Sequence, residues 1–191
     1  MAPRIRLDKQ SVVQAAADLV NQEGVDALSL SRLAERLGIQ APSLYNHVDG
    51  LPGLRRDLAL LNARNLSECF ANAAIGKAGP TALIALAQAY RDYIKVSPGL
   101  YLASLQAAGT QTPVDVALQQ AEERTVQVAL AVMASLGLQG DDAIHAVRGL
   151  RSVVHGFATL EIAGGFGLPL DCDESFRRLI EALIRGLQSS V

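Results

Sequence analysis

The segment from Leu28 to Leu58 constrains the fold more than any other part of the chain. Gly38 supplies the left-handed backbone conformation in which helices end. Pro42 lies near the first position of a second helix, where a missing N–H costs nothing, and Leu44 and Val48 follow one turn apart on its inner side. The pattern predicts two short helices joined by a tight turn, a helix-turn-helix, whose second helix fits the major groove of B-DNA. The first of these helices repeats apolar residues at the spacing of one face: Leu30, Leu33, Ala34 and Leu37.

Apolar periodicity and glycine or proline punctuation predict helices along the rest of the chain as well. Asp8 is placed to cap the first of them, and Gly24 is placed to end it. No segment alternates apolar and polar residues as a half-buried strand does, so the predicted fold class is all-α, with about nine helices. Outside the motif, the predicted helices span about 8–23, 51–74, 80–95, 99–108, 112–136, 140–163 and 173–189.

The charge of the chain is close to neutral. Half of the 191 residues are apolar, which suffices for a sizeable core, and the net charge is −2. Residues 1–66 hold eight Lys or Arg against seven Asp or Glu, whereas residues 67–191 hold nine against twelve. This asymmetry weakly favours nucleic-acid contact through the N-terminal part, and it leaves any duplex affinity to locally placed cations.

Several functional classes lack their sequence signals here. Cys69 and Cys172 have neither disulfide nor metal-ligand spacing, and the three histidines lie far apart without ligand partners at helical spacing. No apolar run reaches the length of a membrane span, and no signal-peptide segment follows the N-terminus. Paired catalytic carboxylates, a Ser-His-Asp order and a phosphate-binding glycine loop are all missing. We therefore expect a cytoplasmic protein that is not an enzyme and that has no cofactor, no metal and no membrane partner.

The outer side of the predicted second helix carries groups suited to contact DNA. The hydroxyls of Ser43 and Tyr45 and the ring nitrogens of His47 can donate to phosphate oxygens. Ala41 and Pro42 are small enough to lie against base edges or a thymine methyl. Two structural alternatives remain, namely burial of Tyr45 beneath the helix and a capping role for His47. The remaining candidates for DNA contact are Gln40 and Asn46, as base readers, and Ser29 and Arg32, as backbone contacts at the first helix.

The same region resembles the DNA-binding domain of the tetracycline-repressor (TetR) family. The resemblance spans about Lys9 to Leu58 and is most specific in the run APSLYNHV at 41–48, which is similar to the recognition helix of that family. The runs NQEG at 21–24, LSL at 28–30 and LAERLGI at 33–39 carry the remainder of it. Further along, VHGF at 154–157 and GGF at 164–166 resemble a His-Gly-containing (WHG-type) C-terminal domain of the family.

The resemblance implies two domains and a function. It implies a helix-turn-helix DNA-binding domain over residues 1–50 and a larger helical domain over residues 51–191 for effector binding and dimerisation. The expected function is that of a transcriptional regulator, in most cases a repressor, that binds a palindromic double-stranded DNA operator as a homodimer. An unknown small-molecule effector would tilt the long helix that begins near Leu51 and so weaken DNA binding.

The sequence departs from the family pattern just after the recognition helix. The family usually has a phosphate-anchoring lysine three residues further on, whereas this chain reads DGL at 49–51. The nearest cations are Arg55 and Arg56. Either these residues take over the phosphate contact, with Arg55 the candidate, or the protein binds DNA more weakly than its relatives.

The resemblance also implies an effector pocket among the helices between residues 60 and 136, completed from the helix that follows. Such cavities are mostly apolar with a few polar groups, so every candidate can equally be plain core. The candidates are Leu66, Phe70, Tyr90, Tyr93, Tyr101, Leu105, Gln106, Met133 and Phe157.

The last two predicted helices carry apolar arcs broader than one neighbouring helix requires. Such arcs favour a four-helix interface between two copies of the chain over a place in the core of a monomer. The candidate dimer residues are Val147, Leu150, Val154, Phe157, Phe176, Leu179, Ile180, Leu183 and Leu187.

The sequence leaves three alternatives to a ligand-responsive DNA-binding regulator. The chain can be a helical small-molecule binding module without DNA function, which a gel-shift with the upstream DNA of its own gene would separate from a regulator. It can be an enzyme, although no acid–base or nucleophile set is present. It can also be a DNA-binding protein without a ligand that acts through a protein partner, in which case no cavity should occur among residues 60–136.

Overall fold

The computed structural model describes residues 7–107 and 115–189, and in this part of the chain every regular element is a helix. The predicted all-α fold is confirmed. A short 3-10 helix over Val25–Ala27 was not predicted from the sequence. None of the described helices is long and apolar enough to cross a membrane. The α-helices are α1 (Lys9–Glu23), α2 (Leu30–Leu37), α3 (Ala41–Leu44), α4 (Gly50–Ala74), α5 (Gly79–Val96), α6 (Pro98–Ala107), α7 (Val116–Ala134), α8 (Gly140–Ile162) and α9 (Cys172–Gln188).

Local side chains determine where α1 and α2 begin and where α2 ends. The Asp8 carboxylate accepts the N–H of Ser11 at 2.8 Å, and the Ser11 hydroxyl oxygen accepts the N–H of Asp8 at 3.0 Å, which is a capping box. The Ser29 hydroxyl oxygen accepts the N–H of Arg32 at 3.1 Å and so caps α2. Gly38 ends α2 with φ +66°, a conformation that other residues resist.

The described residues form two compact units. The first contains α1, α2, α3, the part of α4 up to Asn62, and α6 with the first residues of α7. The second contains the rest of α4 and α7 together with α5, α8 and α9. The predicted division at residue 50 follows the DNA-binding motif rather than these packing units. The boundary at residue 50 therefore stays a prediction about which residues bind DNA.

The first unit has a continuous apolar core that includes α6. Apolar residues of α1, α2, α3, α4 and α6 meet there, and the short α3 contributes through a single inward side chain. The most deeply buried members are Val12, Ala16, Ala17, Leu19, Val20, Leu33, Leu44, Leu54, Leu58 and Leu100.

Helix α6 begins in direct contact with the end of α1. A Cβ atom added to Gly99 would overlap the carbonyl group of Val20 and lie 2.7 Å from the amide nitrogen of Asn21. The Asn21 side-chain oxygen accepts the N–H of Leu100 at 2.8 Å, which satisfies one of the free donors at the start of α6. Only glycine therefore permits this close approach of the two helices.

The second unit is built on α5, which packs against α8 and α9. Its buried face contains one charged residue, Arg91, whose side chain is 1% exposed. The remaining buried residues of this unit are apolar apart from Tyr90, and they include Ala82, Leu83, Leu86, Ile94, Met133, Leu150, Val154, Ala158, Phe176 and Ile180.

Gly99→Ala should destabilise the first unit. The added methyl group has no free space against the backbone of α1, and overpacking of this kind costs about 1–3 kcal/mol. Urea unfolding followed by circular dichroism measures the change in the free energy of unfolding. Leu102→Ala is the matched control, because Leu102 is an exposed residue of the same helix and its loss should change stability by less than about 0.5 kcal/mol. Equal stabilities for the two variants would contradict the role given to Gly99.

Candidate nucleic-acid interface

The turn between α2 and α3 is held by main-chain hydrogen bonds. The N–H of Ile39 donates to the carbonyl oxygen of Ala34 at 3.0 Å, and that of Gly38 donates to the carbonyl oxygen of Glu35 at 3.1 Å. These bonds satisfy carbonyl groups that the end of a helix leaves free. The direction in which the chain enters α3 is therefore fixed by the left-handed Gly38.

Helix α3 is shorter than the predicted recognition helix. Only Ala41–Leu44 is α-helical, and the amides of Asn46 and His47 then donate three residues back, to the carbonyl oxygens of Ser43 at 3.3 Å and Leu44 at 2.9 Å. The chain tightens here because it must turn into α4, which already begins at Gly50. The helical path nevertheless continues as far as Val48, whose N–H donates to Leu44 at 3.0 Å.

The two sides of this segment differ as the sequence predicted. Leu44 and Val48 are both buried in the core of the first unit. On the other side Tyr45 is 64% exposed, which disfavours the alternative that it is buried beneath the helix. The other candidate contact residues in this segment are exposed or partly exposed: Gln40, Ala41, Pro42, Ser43, Asn46 and His47.

Arg32 is held by two carboxylates. Its Nε and Nη2 atoms donate to the two oxygens of Glu23, at 2.9 and 3.1 Å, and its Nη1 donates to Glu35 at 2.7 Å. The hydrogen bond from Arg32 lowers the pKa of Glu23. Arg32 thus ties the end of α1 to α2. It is about half exposed, and pairs of this kind are weak, so a phosphate group could compete for the guanidinium.

The two arginines near the start of α4 have different surroundings. Arg56 donates to Asp57 at 2.7 Å and also to Asp115, which immediately precedes α7. Arg55 is exposed and has no ion pair among the described residues. Of these two arginines, Arg55 is therefore the one without a carboxylate partner in the described part of the chain.

Arg56 belongs to a chain of alternating charges within the first unit. The Asp57 carboxylate is buried and lies 2.8 Å from Nζ of Lys9 on its other side. Asp115 also accepts the amides of Ala117 and Leu118, at 3.0 and 3.1 Å, and so caps α7. The hydrogen bond from Arg56, together with these amides, lowers the pKa of Asp115 to about 2. Sequence spacing gave no signal for these linked charges, because Lys9 and Asp115 lie more than a hundred residues apart in the sequence.

The effector candidates fall into separate groups. Phe70 and Tyr90 meet edge to face in the second unit, with ring centroids 5.2 Å apart. Phe157 instead packs against Phe166 and Phe176, with ring centroids 4.7 and 5.1 Å away. Burial raises the pKa of Tyr93, a further candidate in the second unit. Leu66 and Met133 also belong to the second unit, and the candidates that belong to the first unit are Tyr101, Leu105 and Gln106.

The dimer candidates divide by burial. Leu150, Val154, Phe176 and Ile180 are buried within a single copy of the chain, so they already serve its own core. The remaining candidates are partly exposed: Val147, Phe157, Leu179, Leu183 and Leu187.

Arg91 and its carboxylate partners Glu161 and Asp173 were not predicted as functional residues from the sequence. The Nε and Nη2 atoms of Arg91 donate to the Glu161 carboxylate at 2.8 and 2.6 Å, and its Nη1 lies 2.8 Å from Asp173. The rings of Phe157 and Phe176 lie 5.3 and 4.9 Å from the guanidinium carbon. A signal was present, because Arg91 interrupts the apolar face of α5 at helical spacing.

Asp115→Asn should lower stability at neutral pH and lose that effect in acid. Because the native pKa of Asp115 is depressed, its ionised form contributes stability above the unfolded value near 4, and this contribution disappears as the pH falls through about 2. Urea unfolding of both proteins between pH 7 and pH 2 should show a difference that is steady above about pH 5 and shrinks below pH 4. Asp26→Asn is the control, since Asp26 has no ion pair in the described part of the chain. A difference that does not depend on pH would argue against the pairing with Arg56.

Comparisons with known proteins agree with this geometry. Residues 12–47 match the family described as bacterial regulatory proteins, tetR family, and residues 83–183 match the family described as tetracyclin repressor-like, C-terminal domain. YobS of Bacillus subtilis (strain 168), an uncharacterized HTH-type transcriptional regulator, is 34% identical over 188 residues, which cover 98% of this chain and 96% of YobS. The class A tetracycline repressor protein of Escherichia coli is 47% identical over 58 residues, which cover 30% of this chain and 24% of the repressor.

A solved structure extends the likeness to the whole chain. A TetR variant from Acinetobacter baumannii AYE in complex with minocycline is 26% identical, with a TM-score of 0.71, over 96% of this chain and 98% of that one. The resemblance of the N-terminal part to the tetracycline repressors is thereby confirmed, while the WHG-type assignment of the C-terminal domain stays a prediction. The chain belongs to the TetR family and is a DNA-binding transcriptional regulator of the helix-turn-helix type.

Proposed function

We propose that this regulator is a ligand-responsive repressor that binds a palindromic operator as a homodimer. The proposal rests on one observation: residues 41–48 have one buried apolar side and one exposed polar side. Leu44 and Val48 are buried in the first unit, so the polar side chains between and beside them face outward. A short segment of this kind, held from behind by its own core, fits a major groove.

The outward side chains have different proposed roles. Ser43 and Tyr45 donate their hydroxyl hydrogens to phosphate oxygens and so fix the register on the duplex. Gln40 and Asn46 are proposed to read base edges, because their amides both donate and accept hydrogen bonds. The additional proposed contacts are Ala41, Pro42 and His47 in the same segment, Ser29 and Arg32 at α2, and Arg55 at α4.

The dimer is proposed to form through the exposed face of α8 together with α9. Gly149 and Gly156 lie inside α8, where glycine costs about 1 kcal/mol relative to alanine, and an added Cβ atom at either would meet nothing within 4 Å. No contact in the described part of one copy accounts for these two glycines. Close approach of a second helix, with exposed Ser152 between them, gives a reason for their small size.

An effector is proposed to bind within the second unit. The related TetR protein from Acinetobacter baumannii AYE was solved in complex with minocycline, which supports a ligand site in proteins of this fold. Phe70 and Tyr90 are the central candidates here, because they form one aromatic cluster. A bound molecule can lower DNA affinity only by preferring the conformation that does not bind DNA. Helix α4 is the proposed route for the change, since it contributes residues to both units.

Selection of bound duplexes from a random pool, followed by affinity measurement, tests the DNA contacts. We expect a palindromic consensus with half-sites about one helical turn or more apart. Ser43→Ala and Tyr45→Phe should each weaken binding roughly 10-fold, because each removes one hydrogen bond to a charged oxygen. Enrichment of no sequence by the native protein would overturn the proposed function. Unchanged affinities of both variants would overturn only the roles of the two hydroxyls.

Arg55→Ala should change the salt dependence of DNA binding, whereas Arg56→Ala should change stability, although the two residues are adjacent. Loss of a phosphate contact at Arg55 should reduce the slope of log affinity against log salt by about one unit without changing stability. Loss of Arg56 should leave that slope unchanged and should lower the free energy of unfolding, because it leaves the buried Asp57 with one partner fewer. Fluorescence anisotropy over a salt series and urea unfolding measure the two quantities. The reverse assignment of the two effects would contradict the proposed phosphate contact.

A further inference from the structure

The connection between α8 and α9 is an exposed apolar segment. From 162 to 170 the chain reads IAGGFGLPL, with no polar side chain, and all nine residues are exposed. Leu168 is 76% exposed and Leu170 is 73% exposed. A continuous apolar surface of this kind marks an interaction site more often than it marks ordinary surface.

The segment is held in a defined conformation. Gly164 adopts φ +68°, and the N–H of Gly165 donates to the carbonyl oxygen of Leu160 at 2.8 Å, which closes the end of α8. The ring of Phe166 rests on Phe157. The N–H of Leu170 donates to the carbonyl oxygen of Leu168 at 2.8 Å, across a proline whose φ is fixed by its ring.

Arg91 clamps both ends of this segment. Glu161, directly before it, accepts two hydrogen bonds from the guanidinium, and Asp173, three residues after it, lies 2.8 Å from the third nitrogen. Lys95 adds a second contact to Glu161 at 2.7 Å. One buried cation of α5 thus fixes the end of α8 and the start of α9 together. Both ends of the main chain between them are therefore held before any partner arrives, which reduces the entropy lost on binding.

The geometry points to a second copy of this chain as the partner that covers Leu168 and Leu170. The inference rests on the homodimer proposed above, and it assigns a specific contact to it. The segment joins the two helices of the proposed interface, so its surface is continuous with them. A two-fold interface uses the same surface on both copies, so one such interface would cover the segment of each copy. The absence of charge from residues 162–170 matches the core of homodimer interfaces, which is depleted of charged residues.

The test compares dimerisation of the native protein with that of a Leu168→Ser, Leu170→Ser double variant. Sedimentation equilibrium over a dilution series should show the dimer dissociation constant raised at least about 100-fold, because two leucines lose their burial. Ile75→Ser is the matched control: Ile75 is 71% exposed in the second unit but lies outside the segment, and its variant should dimerise like the native protein. Circular dichroism and thermal unfolding check that all three proteins fold alike.

A second measurement needs no variant. In hydroxyl-radical footprinting of the native dimer, Leu168 and Leu170 should be oxidised at least about fivefold more slowly than Ile75, although all three side chains are equally exposed in one copy of the chain. Oxidation at equal rates would overturn the inference, whether or not the double variant folds.

The outcomes separate this inference from the proposed function. A native protein that is dimeric and binds its selected operator, with a double variant that dimerises equally well, overturns the inference and leaves the function standing. A native protein that is monomeric and enriches no DNA sequence overturns both.

Discussion

The recognition segment depends on the burial of two side chains, Leu44 and Val48. A helix of four residues has no stability of its own in water, since isolated helices need about 12–15 residues to be even marginally stable. Its conformation is therefore imposed by the core of the first unit, into which both side chains point. The outward direction of Ser43 and Tyr45 is a consequence of this packing and not of the helix itself. The affinity of the protein for DNA is thus coupled to the integrity of a core that never touches DNA.

The same unit uses several of its cations internally. Arg32 ties α1 to α2, and Arg56 with Lys9 neutralises Asp57 and joins α4 to Asp115. A chain with a net charge of −2 has no general basic field, so each cation that serves the fold is one fewer for phosphate. This division explains how neighbouring arginines differ in role. In the proposed interface, hydroxyl and main-chain donors therefore make more of the phosphate contacts, and such donors are directional and position the protein on the duplex.

Much of the fold could be predicted because glycine and proline mark its boundaries. Gly24, Gly38 and the Ser97-Pro98-Gly99 turn gave helix ends to within a residue or two. The place of α6 in the first unit could not be predicted, since Gly99 looks like any turn glycine until the backbone of α1 is placed against it. The shortness of α3 was missed for a related reason. The apolar spacing of Leu44 and Val48 fits a full helix, and this spacing does not show that the main chain between Leu44 and Gly50 tightens into turns.

The candidate site was predictable to a similar degree. Which side of residues 41–48 faces outward follows from periodicity. Which of the two arginines is paired does not, because Asp115, one of the two partners of Arg56, lies far along the chain. The roles of the outward side chains depend on the shape of the operator, which this chain does not determine. They therefore stay predictions, unlike the all-α fold and the family.

Arg91 is best explained by the geometry that it fixes rather than by the stability that it adds. Removing a charge from water costs several kcal/mol, and replacing a buried ion pair by apolar residues of similar size is often neutral or stabilising. A leucine or methionine at this position of α5 would pack between Phe157 and Phe176 without that cost. It would also release Asp173 and leave Glu161 with Lys95 alone, and these two carboxylates flank the apolar connection between α8 and α9. A guanidinium, with its planar fork of donors, holds both carboxylates at once and orders the residues between them. The buried charge of Arg91 thus fixes the two ends of the exposed segment at 162–170. This role explains why an arginine occupies a position where the core alone would accept an apolar residue.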